Sequence, residues 1–242
     1  MKWLYALISS VAVLAGTAAV SGQEYEELEA FQADAGELSI LFRGREAMNY
    51  KIPHNGTYLW GPEDFTLGDL MFNGRLYHHL YMNIDAVRQE PLVCFRNRLL
   101  PVALDPARVE WFTMGDRKFV NASDQGIPEV PEGFFEIIYS GQMTLLKHVV
   151  KAFASRVENT NGAIIGYDDP DYRDKVLSFF GYYPSYFLRL DDGEVVRIKH
   201  KQNILRYLPD RKAVKKHMAS YGPGRTVSFD EYCREAFRAA GL

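Results

Sequence analysis

The sequence predicts an α+β protein: an antiparallel β meander, built as a hairpin-rich sheet or partly open barrel, followed by C-terminal helices. Three observations point there. Short runs of β-branched and aromatic residues alternate with tight-turn dipeptides from about residue 38 to 199. Beyond residue 200 the apolar spacing changes to the three and four of a helix. No strand–helix–strand alternation and no internal repeat interrupts this order, so the helices cover part of the sheet and do not connect parallel strands.

The elements follow in chain order. Lys2, the apolar run from Leu4 to Ala15 and the small residues Val20-Ser21-Gly22 before Gln23 have the layout of a signal peptide over 1–22. An uncleaved anchor would need roughly 20 predominantly apolar residues, and Ser9, Ser10, Gly16 and Thr17 dilute this stretch. Cys94 is the first cysteine, so acylation at the cleavage point is excluded. Residues 23–37, with Glu24, Glu26, Glu27 and Glu29, read as an acidic flexible leader.

The β-rich domain spans 38–199. Gly68 to Phe72, Asn73-Gly74 and Arg75 to Ala86 form a hairpin, because Asn-Gly readily adopts the positive φ angles of a type I′ turn. Strands are expected at Leu92 to Arg96, Arg108 to Met114 and Lys118 to Ala122, the last two joined through Gly115-Asp116. Phe134 to Tyr139 and Met143 to Val150 suggest a further hairpin around Ser140-Gly141, although Thr144 to Val157 also fits an amphipathic helix. The polar stretch 155–183 reads as an irregular excursion. A last hairpin runs from Tyr186 to Leu190 and from Glu194 to Lys199 across Asp191-Asp192-Gly193.

The helices, 200–242, are expected to pack on the same domain. Lys201 to Leu208, Asp210 to Tyr221 and Phe229 to Ala239 each carry one apolar face. Asp210 and Ser228 serve as N-caps, and Gly222-Pro223-Gly224 separates the last two helices. An outer-membrane barrel is disfavoured, since its strands run roughly 9 to 11 residues and this chain finishes in charged helices.

The chain of 242 residues is 47% hydrophobic and 14% aromatic, which predicts a packed core and excludes intrinsic disorder as the whole answer. Its net charge of −3 hides an asymmetry: 19 acidic and 10 basic residues lie between Gln23 and Ser140, but 4 acidic and 11 basic between Val195 and Leu242. The basic end either packs against the acidic one, forms a solvated helix face, or meets an anionic surface. Lys212, Lys215 and Lys216 are the binding candidates. Export disfavours nucleic acid, leaving an envelope protein, a lipid headgroup or a glycan as partner. No transmembrane span is expected after signal cleavage.

Motifs with defined chemistry are sparse. Cys94 and Cys233 could form a disulfide in an oxidising compartment, or each could be a small buried hydrophobe. Adjacent side chains in a strand face opposite ways, so His78 and His79 cannot share one metal without a bulge. Asp168, Asp169, Asp171 and Asp174 lack the spacing of a calcium loop, and Pro170 splits them. Asn55-Gly56-Thr57 and Asn121-Ala122-Ser123 are glycosylation acceptors only in a eukaryotic pathway. The sequence has no nucleophile elbow, phosphate loop or dinucleotide fingerprint, and no cofactor or metal is implied. A pair of carboxylates for glycoside hydrolysis stays open, because such a pair is spatial. Trp60, Tyr77, Tyr81 and Trp111 are candidates for a sugar-binding platform, or for the core.

Gly68-Asp69-Leu70-Met71-Phe72-Asn73-Gly74-Arg75-Leu76-Tyr77, Asn83-Ile84-Asp85, Phe119-Val120 and Phe134-Phe135-Glu136-Ile137-Ile138-Tyr139-Ser140-Gly141 resemble uncharacterised secreted proteins of the Bacteroidota. The similarity spans about residues 40 to 220. It implies a bacterial protein, periplasmic or outer-membrane-associated, and brings no catalytic residue with it. The expected function is a non-enzymatic binding or interaction module of the cell envelope, with an envelope hydrolase carrying a carboxylate site, or a carbohydrate-binding domain, as the alternatives.

Overall fold

The computed structural model describes residues 40–48, 50, 56–61, 64–94, 101–158, 175–221 and 227–242. The signal segment, the acidic leader, His54, Asn55, the aspartates of 168–174 and the Gly222-Pro223-Gly224 break lie outside the described residues. Eleven strands form one antiparallel sheet: β1 (Arg45–Glu46), β2 (Thr66–Phe72), β3 (Arg75–Asp85), β4 (Glu90–Cys94), β5 (Val102–Ala103), β6 (Val109–Met114), β7 (Arg117–Asn121), β8 (Phe134–Ser140), β9 (Thr144–Glu158), β10 (Lys175–Arg189) and β11 (Val195–Arg197). Their spatial order is β1-β5-β4-β3-β2-β6-β7-β8-β9-β10-β11, so the sheet is not closed. Helices α1 (Arg211–Ser220) and α2 (Phe229–Ala239) follow.

Local chemistry explains the turns and caps. Asn73 and Gly74 take φ of 54° and 73°, which lets Phe72 pair with Arg75 across a two-residue turn. The Asp210 carboxylate accepts from the Ala213 amide, and Ser228 Oγ from the Glu231 amide, each satisfying an otherwise orphaned donor of the first helical turn.

Bulges bend the sheet. Pairing between β2 and β3 shifts from Gly68↔Leu80 to Leu70↔Tyr77, so that Asp69 faces both His78 and His79, and His79 takes a φ of 55°. Further shifts occur at Met71/Phe72 against β6 and at Ile137/Tyr139 against β9. An inserted residue curls its strand, and here the curl brings the β3–β4 turn round to β9. The Lys151 amide donates to Ala86 O at 2.9 Å, and Gln89 Nε2 donates to Val149 O at 2.9 Å. The expected open sheet or partly open barrel is thus a strongly bent open sheet.

The inner face holds the main core, including Leu70, Met82, Phe112, Phe119 and Phe134. A second core, with Leu145, Leu188, Val214, Met218 and Phe237, fills the space between β8–β10 and the helices. On the opposite face of those strands Phe135, Leu146 and Phe187 pack under the segment bearing Ile127 and Val130.

The structure departs from expectation at the excursion. Residues 155–158 belong to β9 and 175–183 to β10, which pair residue for residue from Lys175↔Glu158 to Arg189↔Thr144; 159–174 lie outside the described residues. The helical option for Thr144 to Val157 falls with them. Gly181, inside the expected excursion, and Pro184, just beyond it, each have a place in β10. Ile198 N–H donates to Tyr186 O, so by two-residue alternation the ring nitrogen of Pro184 also faces away from β9, where no ladder bond is lost. A side chain at Gly181 would meet the Tyr183 ring, which lies over it. The segment expected as a helix from Lys201 is a 3-10 helix, Lys201–Arg206.

Gly68 marks the tightest strand approach, since a Cβ there would sit 1.8 Å from Thr113 O. Gly68→Ala must push β2 from β6 and is expected to cost about 1–3 kcal/mol, read as a lower urea midpoint; an unchanged midpoint would contradict that close approach.

Candidate functional site

The inner face carries one unbroken cross-strand row: Leu70, Phe112, Phe119, Glu136, Lys147 and Tyr186 are successive register partners from β2 to β10. The row is apolar as far as Phe119, which stacks on Phe112 with centroids 4.9 Å apart. It then turns ionic. Glu136 is 3% exposed, and a carboxylate so far from water stays ionised only if neighbours replace its hydration. Arg117 supplies a two-pronged contact at 2.8 and 2.9 Å, and Trp60 Nε1 donates at 3.3 Å.

Lys147 Nζ lies 3.8 Å from Glu136 Oε2 and 2.6 Å from Asp230 Oδ2. Asp230 sits in the first turn of α2, where the helix end favours negative charge. Its other oxygen accepts from Tyr186 OH at 2.6 Å. Phe229, one residue earlier, stacks on the Tyr186 ring with centroids 3.7 Å apart. The start of α2 therefore grips one tyrosine twice, through its ring and through its hydroxyl.

Charges alternate along Arg117, Glu136, Lys147 and Asp230. Burial opposes the Lys147 ammonium, but the hydrogen bond from it to Asp230 and the charges of Asp230 and Glu136 outweigh burial and raise its pKa. Arg117 is raised the same way, with Glu136 overcoming desolvation. The Tyr186 phenol is pushed up by burial and then by Asp230. Tyr182, 48% exposed, lies on the same face of β10 and stands where the cluster meets solvent.

Glu136 and Asp230 share one lysine, so their nearest oxygens can be no farther apart than the sum of the two distances to its Nζ. That places them inside the roughly 9.5 Å limit for a glycosidase pair. Both, however, are held by cations, an arrangement suited to locking α2 onto the sheet. Nearby, Lys151 is buried and donates to the carbonyls of Thr57 and Leu59, and desolvation lowers its pKa. It fastens the segment carrying Trp60 to β9.

The residues singled out in the sequence are scattered. Lys212, Lys215 and Lys216 are exposed on α1, whose Val214 and Met218 face the core. Cys94 is half-buried on β4 and Cys233 fully buried on α2; they are not joined to each other. Burial raises both thiols, with the Asp230 charge adding to the effect at Cys233, so neither is poised as a thiolate. Trp60 and Tyr77 are core residues and drop out as sugar platforms, while Tyr81 and Trp111 are half-buried. Lys118 Nζ stands 5.0 Å from the Trp111 ring centroid. The bulge does bring His78 and His79 to one aspartate, with His78 Nδ1 3.1 Å from Asp69. Among the described residues no group of three potential ligands is placed to hold a metal, and no helix is long and apolar enough to cross a membrane.

Sequence reasoning missed Arg117, Glu136, Lys147, Tyr186 and Asp230. A signal existed: Glu136 interrupts Phe-Phe-x-Ile-Ile, and Lys147 interrupts Leu-Leu-x-His-Val-Val. No family model matches the chain, and no match is found among curated proteins or solved structures.

Two outcomes follow from these contacts. Lys147→Ala leaves two carboxylates facing each other and is expected to lose roughly 3–5 kcal/mol in chemical denaturation. Arg238→Ala, removing an exposed partner of Glu235, should lose no more than about 1 kcal/mol. Equal losses would contradict the central place of Lys147. His148, desolvated between Phe135 and Gln89, has its pKa lowered from 6.5 to about 4. The unfolded chain therefore binds the extra proton first, so stability is lost as pH falls from 6.5 towards 4. Thermal melts across that window should show the loss, and His148→Gln should flatten it.

Proposed function

We propose that the chain is an exported binding module of the bacterial cell envelope and acts without catalysis of its own. One contrast carries the reading: the charges gathered inside the fold are matched to one another, whereas among the described residues Arg211 and the three lysines of α1 have no ion-pair partner. Arg117, Glu136, Lys147 and Asp230 neutralise each other in sequence. Arg211, Lys212, Lys215 and Lys216 face solvent, and among the described residues no side-chain hydrogen bond or ion pair engages them. Unmatched surface charge of one sign is a recruiting feature. The signal-like N-terminus and the resemblance to secreted Bacteroidota proteins support placement at the envelope.

A second reading has one observation in its favour. Glu136 and Asp230 converge on Lys147, and a ligand that displaced the lysine would meet two carboxylates, as a glycoside hydrolase requires. The pairing of both carboxylates with cations favours the binding module.

Sedimentation with bacterial envelope membranes separates these readings. The mature chain is expected to pellet with the membranes at low salt, and Lys212→Gln/Lys215→Gln/Lys216→Gln to remain in the supernatant with an unchanged circular dichroism spectrum. Pelleting unaffected by the three substitutions would overturn the assignment of α1. Release of sugar from envelope glycans that disappears in Glu136→Gln would favour the hydrolase.

A further inference from the structure

We infer that the occupant of the basic α1 face is an anionic lipid bilayer, bound at its headgroups without insertion; the inference rests on the binding-module reading above. The supply of charge is local and unspent. All four acidic residues from Val195 to the C-terminus have partners other than Arg211, Lys212, Lys215 and Lys216. Asp210 caps α1, Asp230 holds Lys147 and Tyr186, Glu231 accepts from Tyr221, and Glu235 pairs with His217 and Arg238. None of the four pairs with Arg211 or with the three lysines of α1.

The side-chain chemistry selects the partner. Three of the four cations are lysines, compact and strongly hydrated charges on flexible stems. A cluster of four exposed Lys and Arg on one amphipathic helix is the pattern that anionic headgroups attract, through charge and not through a fixed fork geometry. Arg211 and Lys215, and Lys212 and Lys216, are each four residues apart, so the charges form two adjacent columns along one side of the helix. Val214 and Met218 form the neighbouring column beside Arg211 and Lys215 and are buried against the body of the protein, which holds the helix in place and leaves both charged columns in solvent.

Insertion is excluded by the same pattern. Amphipathic helices that enter the interface do so with a free apolar face, and that of α1 is already occupied. Just ahead of the helix Arg206 and Tyr207 are exposed, adding one more cation and an aromatic ring of the kind that settles at headgroup level. Attraction to anionic lipid amounts to about 1 kcal/mol for each lysine or arginine near the surface, so binding is expected to be weak, reversible and abolished by salt.

The test uses the full mature chain with vesicles of phosphatidylcholine alone and of phosphatidylcholine with phosphatidylglycerol. Binding is expected only to the second, to fall roughly 100-fold when Lys212, Lys215 and Lys216 become glutamine, and to survive when they become arginine. Raising salt should release the protein. Equal binding to both vesicles, or binding that persists in high salt, would overturn the inference. If the chain ignores both vesicles yet sediments with envelope membranes in a lysine-dependent way, the bilayer is the wrong partner and the binding module stands. If it binds neither, both readings fail.

Discussion

A single buried carboxylate organises this molecule. Glu136 stands in the middle of a sheet face whose row begins with Leu70, Phe112 and Phe119, and an unmatched charge there would cost several kcal/mol. Its neutralisation draws Arg117 from β7, Trp60 from the segment before β2, and Lys147 from the next strand. Lys147 in turn needs Asp230, and Asp230 brings the start of α2 against Tyr186. The chain of obligations begun by one residue of β8 thereby fixes where the helices sit. Apolar packing completes the attachment: Tyr139 stacks on Phe237 with centroids 4.0 Å apart near the far end of α2.

This arrangement separates two uses of charge. Inside, opposite signs alternate at contact distance, where the low dielectric makes each pair matter. Outside, α1 presents like charges to solvent. Cys233, His148, His78 and His79 take part in packing and in a strand bulge. Cys233 lies in the helical core, His148 is held neutral beside Gln89, and His78 and His79 share the bulge opposite Asp69.

Legibility followed locality. Asn73-Gly74, Asp191-Asp192-Gly193, Asp210 and Ser228 act through their own backbone neighbours, and each occupies the turn or cap its residue type favours. The stretch around Gly181 and Pro184 could not be read this way. Proline suits a strand only if its nitrogen faces no partner, and that depends on where β11 ends. The site was similarly hidden. Glu136 and Lys147 stand out as charges in apolar runs, but Asp230 sits in an ordinary helical first turn and is unremarkable until the helix meets the sheet.

By itself the sequence determined the class of fold, the hairpins and helix caps, and the unbalanced charge of the C-terminal end, because composition, periodicity and turn geometry are properties of neighbouring residues. The tertiary structure alone decided that the sheet bends without closing and that β9 and β10 take up both ends of the expected excursion, 155–158 and 175–183. It also decided which charges cancel. Strand register and helix docking bring Glu136, Lys147 and Asp230 within a few ångströms, while Lys212, Lys215 and Lys216 stay in solvent with no ion pair among the described residues. Electrostatic pairing depends on distance in space, so the charge count was legible in the chain, but its division into a locked interior and an open surface was not.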